Sequence, residues 1–247
     1  MERERIAPGV DETGKMQMKI AEKLPLFVSV GLSALLLWAA FAPMNETCAI
    51  FFALTPMLMV SRRSTPRCSA WAWFACGMLF WIATLSWMPA IVKNNGPLPL
   101  VLLGWLGLAA LCSGHFALFG WLSARCWRRL AGEDARSPWL RLLAIGFAEP
   151  VFWAGTEWLR SVSMTGFAWN YLGTAIGSIP TFASPARLGG VYLVSALVVL
   201  LNGVFATLGC RLLAQMRREN PLAGMAPKAA RALNALETGL PLGLILL

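Results

Sequence analysis

Charge is scarce in this chain. Of 247 residues only 13% are Asp, Glu, Lys or Arg, while 57% are hydrophobic. A water-soluble domain of this size still needs a polar exterior, so the composition excludes one. Histidine is nearly absent, with one in the whole chain. The six cysteines (Cys48, Cys68, Cys76, Cys112, Cys126, Cys210) form no CxxC pair and have no histidine at ligand spacing. That excludes a zinc motif and a disulfide framework, and leaves the cysteines as small apolar residues. No metal or cofactor is expected. Acidic residues number 12 against 21 Lys and Arg, a net charge of +9. The excess is spread between apolar runs and forms no basic groove, so nucleic acid is not an expected partner.

What is present is a succession of apolar runs, with a mean hydropathy of +0.62. Residues 1–23 are polar and read as a loosely ordered cytoplasmic tail. Residues 24–247 read as an all-α polytopic membrane domain of about seven transmembrane helices, the last incomplete. Spans are expected near 24–42, 47–60, 69–92, 97–122, 139–159, 188–213 and 232–247. The first could be a signal peptide, since Ala40-Phe41-Ala42 mimics a cleavage site, but its length and the runs behind it favour a retained anchor. The second is short and contains Pro56. It is assigned as a crossing because Arg62, Arg63 and Arg67 then share a side with the basic tail. Lys93-Asn94-Asn95-Gly96 is a turn between the third and fourth.

With the N-terminus inside, all but Lys93, Arg160 and Arg187 of the 21 Lys and Arg fall on the inner face. The tryptophans agree in part: Trp71, Trp73, Trp121, Trp127 and Trp139 sit near inner boundaries, and Trp38, Trp87, Trp158 and Trp169 near outer ones.

The stretch Glu157 to Gly173 stands apart. It reads Glu157-Trp158-Leu159-Arg160, then Thr165-Gly166-Phe167-Ala168-Trp169-Asn170-Tyr171-Leu172-Gly173. Glu157 and Arg160 share a helix face. Either they satisfy each other's charge at the interface, or they face a cavity, as costly intramembrane charges usually do. Glu149 lies deeper on that face, and is either protonated or paired, with Arg141 or with a neighbouring helix. Phe167 and Trp169 serve as an interfacial anchor or as the wall of a lipid groove. Ser113 and His115 superficially suggest a hydrolase, but two residues apart on a helix they point to different faces.

Glu157-Trp158-Leu159-Arg160 followed by Thr165-Gly166-Phe167-Ala168-Trp169 resembles the E-[FW]-L-R…T-G-F-P-W signature of apolipoprotein N-acyltransferases. Trp38-Ala39-Ala40-Phe41-Ala42-Pro43 is similar to the end of that family's first helix. Trp87 ahead of Gly96-Pro97 looks like the end of its third, and His115-Phe116-Ala117-Leu118-Phe119 like part of its fourth. Ala168 stands where the family usually has Pro. The resemblance implies transfer of an acyl chain from a phospholipid donor to the N-terminal S-diacylglyceryl cysteine of a lipoprotein, at the bacterial cytoplasmic (inner) membrane. It implies substrate-binding roles for Trp87, Glu157, Arg160, Thr165, Gly166, Phe167 and Trp169. The family's Glu–Lys–Cys triad belongs to a nitrilase-like domain with no counterpart expected in this sequence. None of the six cysteines has the base and cation a nucleophile needs, Cys48 having only Glu46 beside it. No catalytic residue is therefore assigned, and the chain alone is expected to be inactive. A non-catalytic scaffold or lipid-binding protein that keeps the groove, or a small transporter, are the other readings.

Overall fold

The computed structural model describes residues 12–131, 140, 143–163 and 166–216, with side chains from Pro25 onward. The run near 232–247, Thr165, Arg136, Arg141 and the basic residues beyond Met216 lie outside the described residues.

Every regular element among the described residues is helical. Helix α1 spans Glu12–Ala40. Its start lies inside the stretch expected to be a loose tail, and the reason is local: Lys15, Lys19, Glu22 and Lys23 are good helix formers. A 3-10 turn, Thr47–Ala49, leads to α2, Ile50–Ala53, and α3, Thr55–Arg63. Helix α4 is Pro66–Thr84, started by Pro66 and by Thr65, whose side chain accepts the Cys68 N–H. A 3-10 turn, Met88–Asn94, ends at Asn95 in the left-handed region, which is the expected turn. Helix α5 is Leu98–Cys126 and runs into a π-type turn, Trp127–Ala131. A second π-type turn, Ala144–Ala148, opens into α6, Glu149–Val162. Two single-turn helices follow, α7 (Leu172–Ala175) and α8 (Pro180–Ala183), and then α9, Ala186–Met216, bent near its start at Gly189–Gly190.

Among the described residues three stretches are long and apolar enough to cross a membrane: Pro66–Asn94, Leu98–Arg129 and Ala186–Ala214. Pro25–Ala40 is apolar but shorter. The molecule is an all-α membrane protein.

Helices α4 and α5 form the closest pair. At Gly120 a Cβ would stand 2.1 Å from Cδ1 of Trp73, so only glycine lets the indole lie against the α5 backbone. This is the small-residue contact that intramembrane packing relies on, because lipid offers no hydrophobic drive between helices. Around Trp73 the rings of Phe119, Phe116 and Trp153 meet at centroid distances of 4.8–6.2 Å. Phe80 and Trp81 extend that core toward the end carrying Phe167.

The second apolar run is a helix broken in two. Pro56 has no N–H to donate, and the break frees backbone groups that have no water to turn to. Asn202 of α9 takes them up. Its Oδ1 accepts the N–H groups of Leu54 (2.9 Å) and Thr55 (3.1 Å), and its Nδ2 donates to the carbonyls of Ile50 (3.0 Å) and Val198 (2.9 Å).

Candidate functional site

Two polar knots lie along the inward face of α6, two turns apart. The first is built on Glu149, 1% exposed. Its Oε2 receives Nη2 of Arg62 at 3.2 Å, and its Oε1 receives the Ser123 hydroxyl at 2.9 Å. Arg62 also donates to the Gly203 carbonyl (2.9 Å) and the Thr207 hydroxyl (2.7 Å), and its guanidinium lies 4.4 Å from the ring centre of Trp127. The neighbouring-helix partner anticipated for Glu149 is thus Arg62. One ion pair joins α3 to α6, with α5 and α9 supplying the remaining hydrogen bonds. Each buried charge is matched, as a low-dielectric interior requires.

The second knot is the Glu157–Arg160 stretch. Both side chains are buried, at 3% and 4% exposure. They do not form an ion pair with each other. Oε1 of Glu157 accepts the Trp153 indole N–H (2.8 Å), one helical turn back, and the backbone N–H of Leu172 (2.9 Å). Its Oε2 is buried without a direct hydrogen-bond partner. Arg160 reaches the other way: Nη1 donates to the carbonyls of Phe167 (3.0 Å) and Trp169. Its guanidinium also faces the rings of Trp81 (5.0 Å) and Tyr171 (4.9 Å). Between them the two residues hold both ends of the returning segment, Arg160 at Phe167–Trp169 and Glu157 at Leu172.

The segment can return because of Gly166, whose φ is +79°. A Cβ there would lie 2.3 Å from the Ser161 carbonyl oxygen. The backbone N–H of Phe167 then donates to the Arg160 carbonyl at 3.0 Å, which continues the turn. Ala168, where a proline could have stiffened the chain, is exposed. The rigidity comes instead from Arg160, which grips the carbonyls on both sides of it. Phe167 packs on Trp81 (5.8 Å) and stacks on Trp169 (6.2 Å, 18° between planes), and Trp169 is 50% exposed.

Under this segment is a cavity of about 10 Å³, room for about one water. His115, Thr156, Glu157, Arg160 and Asn170 are its polar lining; Leu37, Phe41, Phe80, Phe116, Trp153 and Leu172 close it. An acyl chain does not fit there. Trp169 (50% exposed) and Trp87 (54% exposed) are both presented on the outer surface at this end of the bundle. Trp87 does not line the cavity. Ser113 turns away, donating to the Ala109 carbonyl, while His115 faces the cavity, so the two do not act together.

Sequence reasoning did not single out Trp81, Trp153, Tyr171 or Ser195. Trp153 was reachable, since it stands four residues before Glu157 on one helix face. Ser195, which accepts the Gly173 N–H at 2.9 Å, carried no local signal.

Residues 33–204 match the family model for the apolipoprotein N-acyltransferase N-terminal domain. Among curated relatives, the apolipoprotein N-acyltransferase of Vibrio parahaemolyticus is 30% identical over 171 residues, 68% of this chain and 31% of the relative. That of Ralstonia nicotianae is 30% identical over 233 residues, 92% of this chain and 42% of the relative. That of Rhodopirellula baltica is 29% identical over 175 residues, 68% and 28% respectively. The chain thus spans about a third of the length of these relatives.

Proposed function

The chain belongs to the family of the apolipoprotein N-acyltransferase N-terminal domain, and from that premise we propose that it is the membrane portion of such an enzyme, supplying the groove where the lipid substrates lie. The donor is a phospholipid, and the acceptor is the N-terminal S-diacylglyceryl cysteine of a lipoprotein. Both are anchored in the same leaflet of the bacterial inner membrane, so the groove must open sideways to the bilayer.

The observation that carries this reading is the grip of Arg160 and Glu157 on the segment Gly166–Leu172. A buried cation and a buried carboxylate are spent on fixing backbone, and the result is a ledge in which Phe167 packs inward on Trp81 and Trp169 is left exposed. An exposed indole on a fixed ledge suits contact with an acyl chain, and the buried polar groups behind it hold the ledge in place. Trp87, Thr165 and Gly166 complete the proposed substrate-binding set.

The residues described support binding more directly than chemistry. Cys76 and Cys112 are fully buried in packed helices, where a thiolate has neither access nor a reason to form. Neither of these two cysteines is therefore proposed as the acyl carrier, and a lipid-binding scaffold is the second reading. One experiment separates them. Purified 1–247 should bind a diacylated lipopeptide, less so after Trp169→Ala, and its intact mass should not change on incubation with phospholipid. Absence of binding removes the groove. A gain of one acyl chain, lost on hydroxylamine treatment, places the chemistry within this chain.

A further inference from the structure

The end of the bundle opposite the Glu157 cavity collects arginines from two separate corners. Arg62, Arg63 and Arg67 come from the junction of α3 and α4, and Arg125, Arg128 and Arg129 from the end of α5. Three contacts hold the corners together: Arg62 over Trp127 (4.4 Å), the Ser69 hydroxyl on the Gly120 carbonyl (2.8 Å), and Ser123 on the Glu149 carboxylate that Arg62 also engages.

Arg62 is consumed by this internal clamp. The other five are exposed. Arg63 is steadied by the Cys210 carbonyl (3.3 Å), and Arg125 by the face of Trp121 (5.2 Å). Of the acidic side chains described, Glu46 and Glu157 are at the other end and Glu149 is committed to Arg62 and Ser123. Glu133 and Asp134 follow in sequence, outside the described residues, and together with Arg136 they leave the net charge of residues 125–136 positive. Indoles flank the corner: Trp71, 72% exposed, is four residues from Arg67, and Trp121, 36% exposed, is four from Arg125. On each helix the arginine and the indole therefore share a face.

We propose that this corner is a binding site for the phosphate of an anionic phospholipid in the leaflet it faces. Guanidinium forks match phosphate oxygens in pairs, and exposed indoles settle at headgroup depth. Both occur here on the same helix faces, at the ends of bilayer-length helices. Topology bias alone requires positive charge on one side of the membrane; it does not require a buried Arg62–Glu149–Ser123 clamp to gather arginines from two corners. The site lies at the opposite end from the Trp169 ledge and is independent of it.

The test uses the full chain purified in mixed phosphatidylglycerol and phosphatidylcholine, with retained lipids counted by native mass spectrometry. Phosphatidylglycerol should be retained preferentially and released as salt is raised. Arg63→Gln with Arg67→Gln, and separately Arg125→Gln with Arg128→Gln and Arg129→Gln, should each weaken retention, by about fivefold per arginine removed. The same positions changed to Lys should keep most of it. Lys93→Gln with Arg187→Gln, at the other end, should change nothing. The proposal fails if phosphatidylglycerol is held no better than phosphatidylcholine. It fails equally if the Lys93/Arg187 control loses as much as the arginine sets, or if millimolar inorganic phosphate displaces the lipid completely.

Discussion

Arg160 lies 5.0 Å from the ring centre of Trp81, while its Nη1 holds the carbonyls of Phe167 and Trp169. Trp81 belongs to α4 and the two carbonyls to the segment after α6, so a single guanidinium locks a loop onto a helix from elsewhere in the bundle. Only a planar cation can offer a flat face to the rings and in-plane donors to the carbonyls together.

Arg160→Ala should therefore destabilise the protein by about 2–4 kcal/mol, since it strands two part-buried carbonyls and removes the cation near Glu157. Arg160→Lys should recover less than half of that, because a point charge on a flexible stem cannot satisfy both carbonyls and keep a stacked face. Thermal unfolding in detergent checks both variants. A lysine variant as stable as the parent would show that charge alone suffices.

Gly166→Ala should cost about 1–3 kcal/mol for the left-handed backbone alone. The contact with the Ser161 carbonyl adds to it, so the segment should also shift. Faster proteolytic cutting within residues 161–171, with helix content unchanged, is the expected signature. Unaltered cutting would mean that the turn tolerates a side chain.

Arg62→Ala and Glu149→Ala should each destabilise by about 3–5 kcal/mol, because each leaves an uncompensated buried charge. The double variant should be much less harmful than the sum of the two, since no charge is then left unmatched. A double-mutant cycle on unfolding free energy measures this coupling. Additive losses would argue against the pair. Glu157 and Arg160, which hold different partners but line one cavity, should show a smaller coupling than the Arg62–Glu149 pair.

Cys48 and Cys68 are both exposed, on either side of the α2–α3 stretch. If the N-terminus is inside, as the Lys and Arg distribution predicts, an impermeant thiol reagent outside intact cells should label Cys48 and spare Cys68, Cys126 and Cys210. Labelling of Cys68 from outside would reverse the orientation.

The long helices were legible because run length alone separates a span from a core helix. The turn at Asn94–Gly96 was legible because its residues tolerate the backbone it needs. Polar partners were not. Glu157 and Arg160 share a helix face, which suggests a mutual ion pair. Helix periodicity says nothing of a returning segment that brings two carbonyls and an N–H nearer to them. The same holds for Glu149, whose ligand came from 87 residues earlier, and for Asn202, an isolated amide in an apolar run whose direction no local pattern sets.

Asn202 stands 148 residues from Leu54, whose N–H it accepts. A chain made from its N-terminus lays down the broken helix at Leu54–Pro56 long before that amide exists. Until α9 arrives, the open N–H groups of Leu54 and Thr55 have to borrow water or another acceptor, so α9 acts as a late-arriving bolt. Chains stopped before residue 202 should then leave Leu54 and Thr55 open to rapid amide exchange, and chains carried past it should protect them. For a membrane protein delivered one helix at a time, that bolt doubles as a completeness sensor: the early helices become hard to unpick only once the later one is present.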